Sequence, residues 1–168
     1  MTDTTRHRST PPLRVLILCV ANSARSQIAE SIINARGKGR VLAESAGSKP
    51  AARVSPWAVE ALRDAGIEWG GRAPRGLDGL DQQAWDAVIT VCDEARAACP
   101  VLRGQPIMAH WPMPDPADVE GNDEEMREAY FDAFLLLSRR IELLLALPIE
   151  SLERPALEVK LRAIGTTS

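Results

Sequence analysis

Aromatic residues are scarce in this chain, at 4% of the total, and there are only three cysteines. An odd trio whose spacings fit no disulfide scaffold argues against a small secreted fold stapled by bridges. It points instead to thiols with catalytic, redox or metal-binding work in a reducing compartment. Long hydrophobic runs are missing too: no apolar stretch approaches the roughly 20 residues needed to cross a bilayer. There is no excess of positive charge either. Twenty Lys and Arg against 23 Asp and Glu leave a net charge of -3, so nothing favours nucleic acid or a membrane surface as partner. Arg6 and Arg8 do precede an apolar run, but the run is short, carries Arg14 and lacks a small-residue cleavage site; the large Leu18 before Cys19 argues against lipoprotein processing. The expected location is cytoplasmic.

The 168 residues suit one domain with a sizeable core. Residues 1–11 are polar and read as a mobile N-terminal tail, 12–148 as the domain, and 149–168 as a C-terminal tail. That last stretch mixes charged residues with Leu152, Leu157, Val159, Leu161 and Ile164, a pattern that leaves its packing open. Four short apolar runs read as buried parallel strands: Val15–Cys19, Val41–Ser45, Ala87–Val91 and Pro106–His110. Helical patterns lie between them. Ile28, Ala29, Ile32, Ile33 and Ala35 form a stripe that Gly37 stops. Ser55-Pro56 reads as an N-cap and first helical residue, with Trp57, Ala61 and Leu62 facing inward and Gly66 closing the helix. The longest pattern runs from Asp123 to Leu147, with acidic residues in its first turn and Pro148 after it. The alternation predicts an α/β domain: a four-stranded parallel sheet flanked by helices, with its binding site at the carboxyl ends of the strands. Cys19, Cys92 and the loop after His110 all fall there.

The stretch with the strongest chemical signal is Cys19-Val20-Ala21-Asn22-Ser23-Ala24-Arg25-Ser26, set between a strand and a helix. A loop running into a helix N-terminus aims backbone N–H groups at one spot, where the helix dipole adds partial positive charge. Arg25 adds a planar fork of donors suited to a tetrahedral oxyanion. A cysteine at the mouth of such a cradle is expected to have its pKa lowered, into a range of about 3.5–7.5. Farther along, Cys92 and Cys99 bracket Asp93-Glu94-Ala95-Arg96-Ala97-Ala98. A helix there would hold their Cα atoms about 10 Å apart, whereas a disulfide needs about 4.4–6.8 Å, so these two pair only if the segment opens.

The Cys-to-Arg-Ser loop in its strand-to-helix setting resembles that of low-molecular-weight protein tyrosine phosphatases and of the thioredoxin-coupled arsenate reductases built on the same fold. The resemblance runs from Leu13 to Leu147 and takes in Ser45-Ala46-Gly47, Pro56 with the helix after it, His110-Trp111 and Asp115-Pro116. Cys92 and Cys99 resemble the resolving pair of the reductases, which the phosphatases lack. The resemblance implies arsenate as substrate, Val20 to Ser26 as the oxyanion-binding loop, and Cys19 as the attacking thiolate. It further implies Asp115 as proton donor to a leaving oxygen, with Asp118 the weaker candidate, then a Cys19–Cys92 disulfide passed on to Cys92–Cys99. Thioredoxin or another thiol reductant would reduce that last pair, and no cofactor or metal is called for. His110 reads as structural. Asn22, Glu30 and Ser45 would support the loop. In some relatives matching residues hold a monovalent cation, but the guanidinium of Arg75 is expected to replace it here.

Two other readings stay open. The same loop could hydrolyse phosphotyrosine, although Pro116 is followed by Ala117 where phosphatases resemble one another in carrying aromatic residues to flank a phenyl ring. Alternatively three thiolates could buffer a soft metal or As(III), which leaves Arg25 and Asp115 without work.

Overall fold

The computed structural model describes residues 10–168; the expected 1–11 tail lies, up to Ser9, outside the described residues. Four strands, β1 (Leu13–Cys19), β2 (Val41–Gly47), β3 (Ala87–Thr90) and β4 (Ile107–His110), form one parallel sheet in the order β2-β1-β3-β4. Helices α1 (Arg25–Arg36), α2 (Pro56–Asp64), α3 (Asp93–Ala98), α4 (Asp123–Leu145) and α5 (Arg154–Ile164) complete it. The fold is the four-stranded α/β architecture expected from the sequence.

β1 sits between β2 and β3, which explains its unbroken apolar run. Side chains alternate across a sheet, and here both sides are covered. Val15, Ile17 and Cys19 join the core shared with α1, α2, α4 and α5, while Leu16 and Leu18 pack with Leu80, Trp85, Val88, Ala95 and Leu102 on the other face. A strand buried on both sides needs no polar alternation.

The helix boundaries follow local chemistry. Gly37 ends α1, its N–H donating to the Ile33 carbonyl at 2.7 Å. Pro56 opens α2 at N1, but Ser55 caps it without a side-chain hydrogen bond; Ala58, Ala61 and Leu62 are buried, and Trp57 packs half-buried against the same core. α4 begins with a capping box: the Asn122 side chain accepts from the Glu125 N–H, and Glu125 accepts from the Asn122 N–H. Such a cap stabilises a helix by about 1 kcal/mol.

The 149–168 segment, set apart as a tail on sequence grounds, folds as α5. Leu157, Leu161 and Ile164 enter the main core, and the helix packs against β4. β4 is the outer strand on that side, and a helix laid over its end takes up apolar surface that an edge strand would expose.

Candidate active site

Cys19 ends β1, with Gly47 as its partner in β2. The loop after it is held from behind: the carbonyls of Cys19, Val20, Ala21 and Ser23 accept from the N–H groups of Ser48, Lys49, Ala51 and Ser55 at 2.8–3.2 Å. Gly47 is required by this approach, since a Cβ there would lie 2.3 Å from the Val20 carbonyl oxygen. Asn22 adopts a left-handed conformation (φ 52°), which asparagine tolerates better than most residues. That turn aims its N–H at Cys19 Sγ, 3.1 Å away. Ala24 stands at the N-cap of α1 and offers no capping side chain, so the first-turn N–H groups of α1 stay available to an anion.

Around Cys19 the polar groups form a closed network. Sγ lies 2.8 Å from Ser26 Oγ, and Asn22 Nδ2 donates to both Ser26 Oγ (2.7 Å) and Ser45 Oγ (2.9 Å). Ser45 donates to Glu30 Oε2 at 3.3 Å. Asn22 Oδ1 in turn accepts from Gln27 Nε2 and from the Arg75 N–H. The expected supporting trio Asn22, Glu30 and Ser45 is therefore one hydrogen-bonded line beneath the loop, with Ser26 tied in at Cys19 Sγ. Gln27 was missed by sequence reasoning although it directly follows the motif; one polar residue in an otherwise apolar stripe is a weak signal.

The expectation of a lowered Cys19 pKa is not met. Burial pushes the thiol up from its ordinary value, outweighing the hydrogen bonds from Ser26 and Asn22 and the nearby Arg25 charge. Desolvation disfavours the charged form, and Cys19 is only 3% exposed. The sequence displays the donors around the sulfur but not the depth at which it sits. Arg25 is also committed elsewhere: its guanidinium donates to the Met113 carbonyl and to Asp115 Oδ2, both at 3.2 Å. The guanidinium thus links the loop after Cys19 to the loop after β4.

Asp115 Oδ1 accepts from the Ala117 N–H at 3.0 Å and caps the short 3-10 turn Pro116–Asp118. Asp118 is exposed and faces Asp115 only through its own N–H. His110 has both ring nitrogens engaged, with Thr90 Oγ1 at 2.7 Å and Asp93 Oδ1 at 2.9 Å, and so ties the end of β4 to β3 and to the start of α3.

Cys92 follows β3 after Val91, whose N–H donates to the Leu18 carbonyl at 3.0 Å. Cys19 and Cys92 therefore lie at the ends of neighbouring strands, Cys19 in the core shared with α1 and Cys92 against the cluster on the other face of the sheet. Cys92 is the N-cap of α3, its Sγ accepting from the Ala95 N–H at 3.3 Å, and Cys99 is the C-cap. All three cysteines are free thiols, Cys92 and Cys99 half-buried; burial pushes the Cys99 thiol up as well. The helix between Cys92 and Cys99 is six residues long, and of its side chains only Ala95 is buried. Opening it sacrifices little buried surface.

The residues under the loop do not fit a monovalent cation. Glu30 is 4% exposed, and Arg72 donates to its Oε1 at 2.6 Å. Burial raises the Glu30 pKa, opposed by the Arg72 charge and the Ser45 hydrogen bond. The guanidinium that takes this place is Arg72, not Arg75 as expected from the sequence; Arg75 pairs with Glu44 at 3.1 Å. The segment around Arg72 is irregular, so no periodicity shows which arginine turns inward. Exchanging sodium for potassium at constant ionic strength is expected to leave turnover and Tm unchanged. A cation bound at a hundred times its Kd would instead raise Tm by about 5–10 °C. A potassium-specific rise of that size would show that Arg72 does not take the cation's place.

Among the described residues, no three of His, Cys, Asp and Glu gather as a metal-holding group, and no helix is long and apolar enough to cross a membrane. Comparison with known proteins follows the same lines. The family model for low molecular weight phosphotyrosine protein phosphatase matches residues 14–146. An arsenate reductase from Halalkalibacterium halodurans is 36% identical over 115 residues, covering 66% of this chain and 79% of that protein. The crystal structure of arsenate reductase from Archaeoglobus fulgidus superposes with a TM-score of 0.65 at 29% identity, over 79% of this chain and 99% of the other. A thioredoxin-dependent arsenate reductase from Corynebacterium glutamicum gives 0.58 at 29% identity, over 80% of this chain and 64% of its own. With residues 14–146 matched by that family model, the chain belongs to the low-molecular-weight phosphotyrosine protein phosphatase family, and its relatives include arsenate reductases.

Proposed function

We propose that the protein reduces arsenate to arsenite, with Cys19 as nucleophile and Cys92 and Cys99 as a thiol relay emptied by thioredoxin or another dithiol reductant. One pairing carries the reading: Arg25, whose charge acts on the Cys19 thiol, bonds Asp115 at 3.2 Å at the carboxyl end of the sheet, while Cys92 stands just beyond the next strand, capping a short helix. A phosphatase has work for the first three groups and none for the two further thiols.

The reaction balances as follows. Arsenate settles against the first turn of α1 and the Arg25 fork, and the Cys19 proton passes to one of its oxygens. Sulfur attacks arsenic, and Asp115 completes protonation of the oxygen that leaves as water, giving a Cys19–S–As(V) adduct. Cys92, as thiolate, attacks the Cys19 sulfur. The S–As bond breaks with its electron pair going to arsenic, so As(V) becomes As(III) and leaves as arsenite while a Cys19–Cys92 disulfide forms. Cys99 then attacks Cys92 and releases Cys19. Two thiols are oxidised for each arsenate reduced, and an external dithiol restores them.

The deciding assay is arsenate-dependent NADPH consumption with thioredoxin and thioredoxin reductase. Steady consumption that stops without arsenate is expected. Aryl phosphate turnover by Cys92→Ser, with no arsenate reduction in the wild type, would instead assign the site to phosphate ester hydrolysis.

A further inference from the structure

α5 lies beyond residue 146, where the family match stops, yet three separate contacts fasten its end to the strand and loop that lead to Asp115. Trp111, 1% exposed, donates from Nε1 to the Leu161 carbonyl at 2.9 Å. Gly165 presses so close to β4 that a Cβ would lie 2.1 Å from the His110 carbonyl oxygen. Arg140 of α4 is 4% exposed and spends its guanidinium on carbonyls alone: Pro112 at 3.1 Å, Thr167 at 2.9 Å and Gly165 at 3.3 Å. Burial pushes its pKa down, and among the described residues no carboxylate pairs with it. A buried charge costs free energy unless it is well paired or hydrogen-bonded. Tying the chain after α5 to residue 112 is what this arginine does in exchange.

The next residues of the loop are held from the opposite side. The Met113 N–H donates to the Val91 carbonyl at 3.2 Å, and the Met113 carbonyl accepts from Arg25. Residues 112–115 are thus suspended between Arg140 behind and Arg25 in front.

We propose that Arg140 and the end of α5 form a clamp that positions Asp115 for proton transfer. This rests on Asp115 being the proton donor. A proton must travel across a hydrogen bond of about 2.6–3.2 Å, and a displacement of 1 Å costs on the order of 10²-fold in rate. Arg140 touches neither substrate nor reacting atoms and is a positioning residue.

The test compares Asp115→Asn, Arg140→Gln and the double variant in the full chain, using arsenate, or 4-nitrophenyl phosphate if the wild type hydrolyses that instead. Arg140→Gln is expected to lower kcat by about 10–100-fold with KM little changed, and to flatten the alkaline limb of the pH profile as Asp115→Asn does. The double variant is expected to be no slower than Asp115→Asn alone. Gly165→Ala, which pushes the end of α5 and the carbonyls that Arg140 holds away from β4 without removing the arginine, is expected to repeat the pattern, and Arg140→Lys to recover part of the rate. Should Arg140→Gln not fold, these last two carry the test. Losses that multiply in the double variant, or a pH profile of wild-type shape in Arg140→Gln and Gly165→Ala, overturn the clamp alone. Wild-type turnover in Asp115→Asn overturns the proton-donor reading and the clamp with it.

Discussion

Replacing Cys19 with serine is expected to lower arsenate reduction by at least about 10⁴-fold, the scale on which removing a nucleophile acts. An alkoxide is far harder to form than a thiolate, and serine can neither hold the arsenic adduct nor give up an electron through a disulfide. The fold should survive, because an oxygen can still accept from the Asn22 N–H and meet Ser26 Oγ. The measurements are NADPH consumption with the reducing system present and, independently, release of arsenite. Turnover within tenfold of wild type would remove Cys19 from the mechanism. The same position sets a pH dependence. Burial raises the Cys19 thiol above its ordinary value, so alkylation by iodoacetamide in the free protein should accelerate only above about pH 8.5, where an exposed thiol is already half ionised. Above that pH the unfolded chain has lost this proton and the folded chain keeps it. The folded state then binds more protons, and stability falls as pH rises. Cys19→Ser should lessen that alkaline loss. A Cys19 alkylated at full rate near neutrality would mean that the loop donors outweigh desolvation.

Cys92→Ser and Cys99→Ser are expected to stop the cycle at different points. Without Cys92 no thiol reaches the Cys19 sulfur, so As(V) is not reduced, arsenite release falls to background and the two remaining thiols stay titratable. Without Cys99 the first reduction proceeds: one equivalent of arsenite appears in a burst, and the protein loses two hydrogens in mass as a Cys19–Cys92 disulfide. Steady turnover then drops by on the order of 10²-fold or more, because the reductant must attack a disulfide whose Cys19 half is buried, and exchange depends on access to the sulfur. The structure adds a requirement of its own. Closing Cys92 onto Cys99 means melting α3, since a helix spaces them about 10 Å apart. Amide exchange over 93–98 should therefore quicken in the oxidised protein. A Cys99→Ser variant cycling at the wild-type rate, or a helix equally protected in both redox states, would break the relay.

How much of this was legible in the sequence differs from element to element. β1 and β3 are readable because burial on both faces leaves a continuous apolar run, and β2 and β4 because their runs stay apolar even at Leu42 and Met108, which reach the surface. The loop is readable because its chemistry is local: one cysteine, one arginine and three small polar residues on consecutive positions of a strand-to-helix turn need no distant contact to make sense. The start of α4 was half readable. Its acidic first turn is a charge pattern, but the reciprocal bond between Asn122 and Glu125 was overlooked although both residue types stand at the right spacing.

The remainder was decided by packing. α5 carries Leu157, Leu161 and Ile164 at helical spacing, but a helix of 11 residues is marginal by itself and is fixed because these three find the core beside β4; tertiary burial supplies most of the stability of a short amphipathic helix. Which arginine meets Glu30 depended on how an irregular segment crosses under the loop, and sequence offers no period there. The protonation of Cys19 turned on burial against hydrogen bonding, a balance of two large opposing terms. The order of residues along the chain named the Cys19-to-Ser26 loop and the sheet that presents it. The depth of the sulfur, the partner of each buried charge and the fastening of the Asp115 loop were settled only when segments far apart in sequence came into contact, because desolvation and charge pairing act through space.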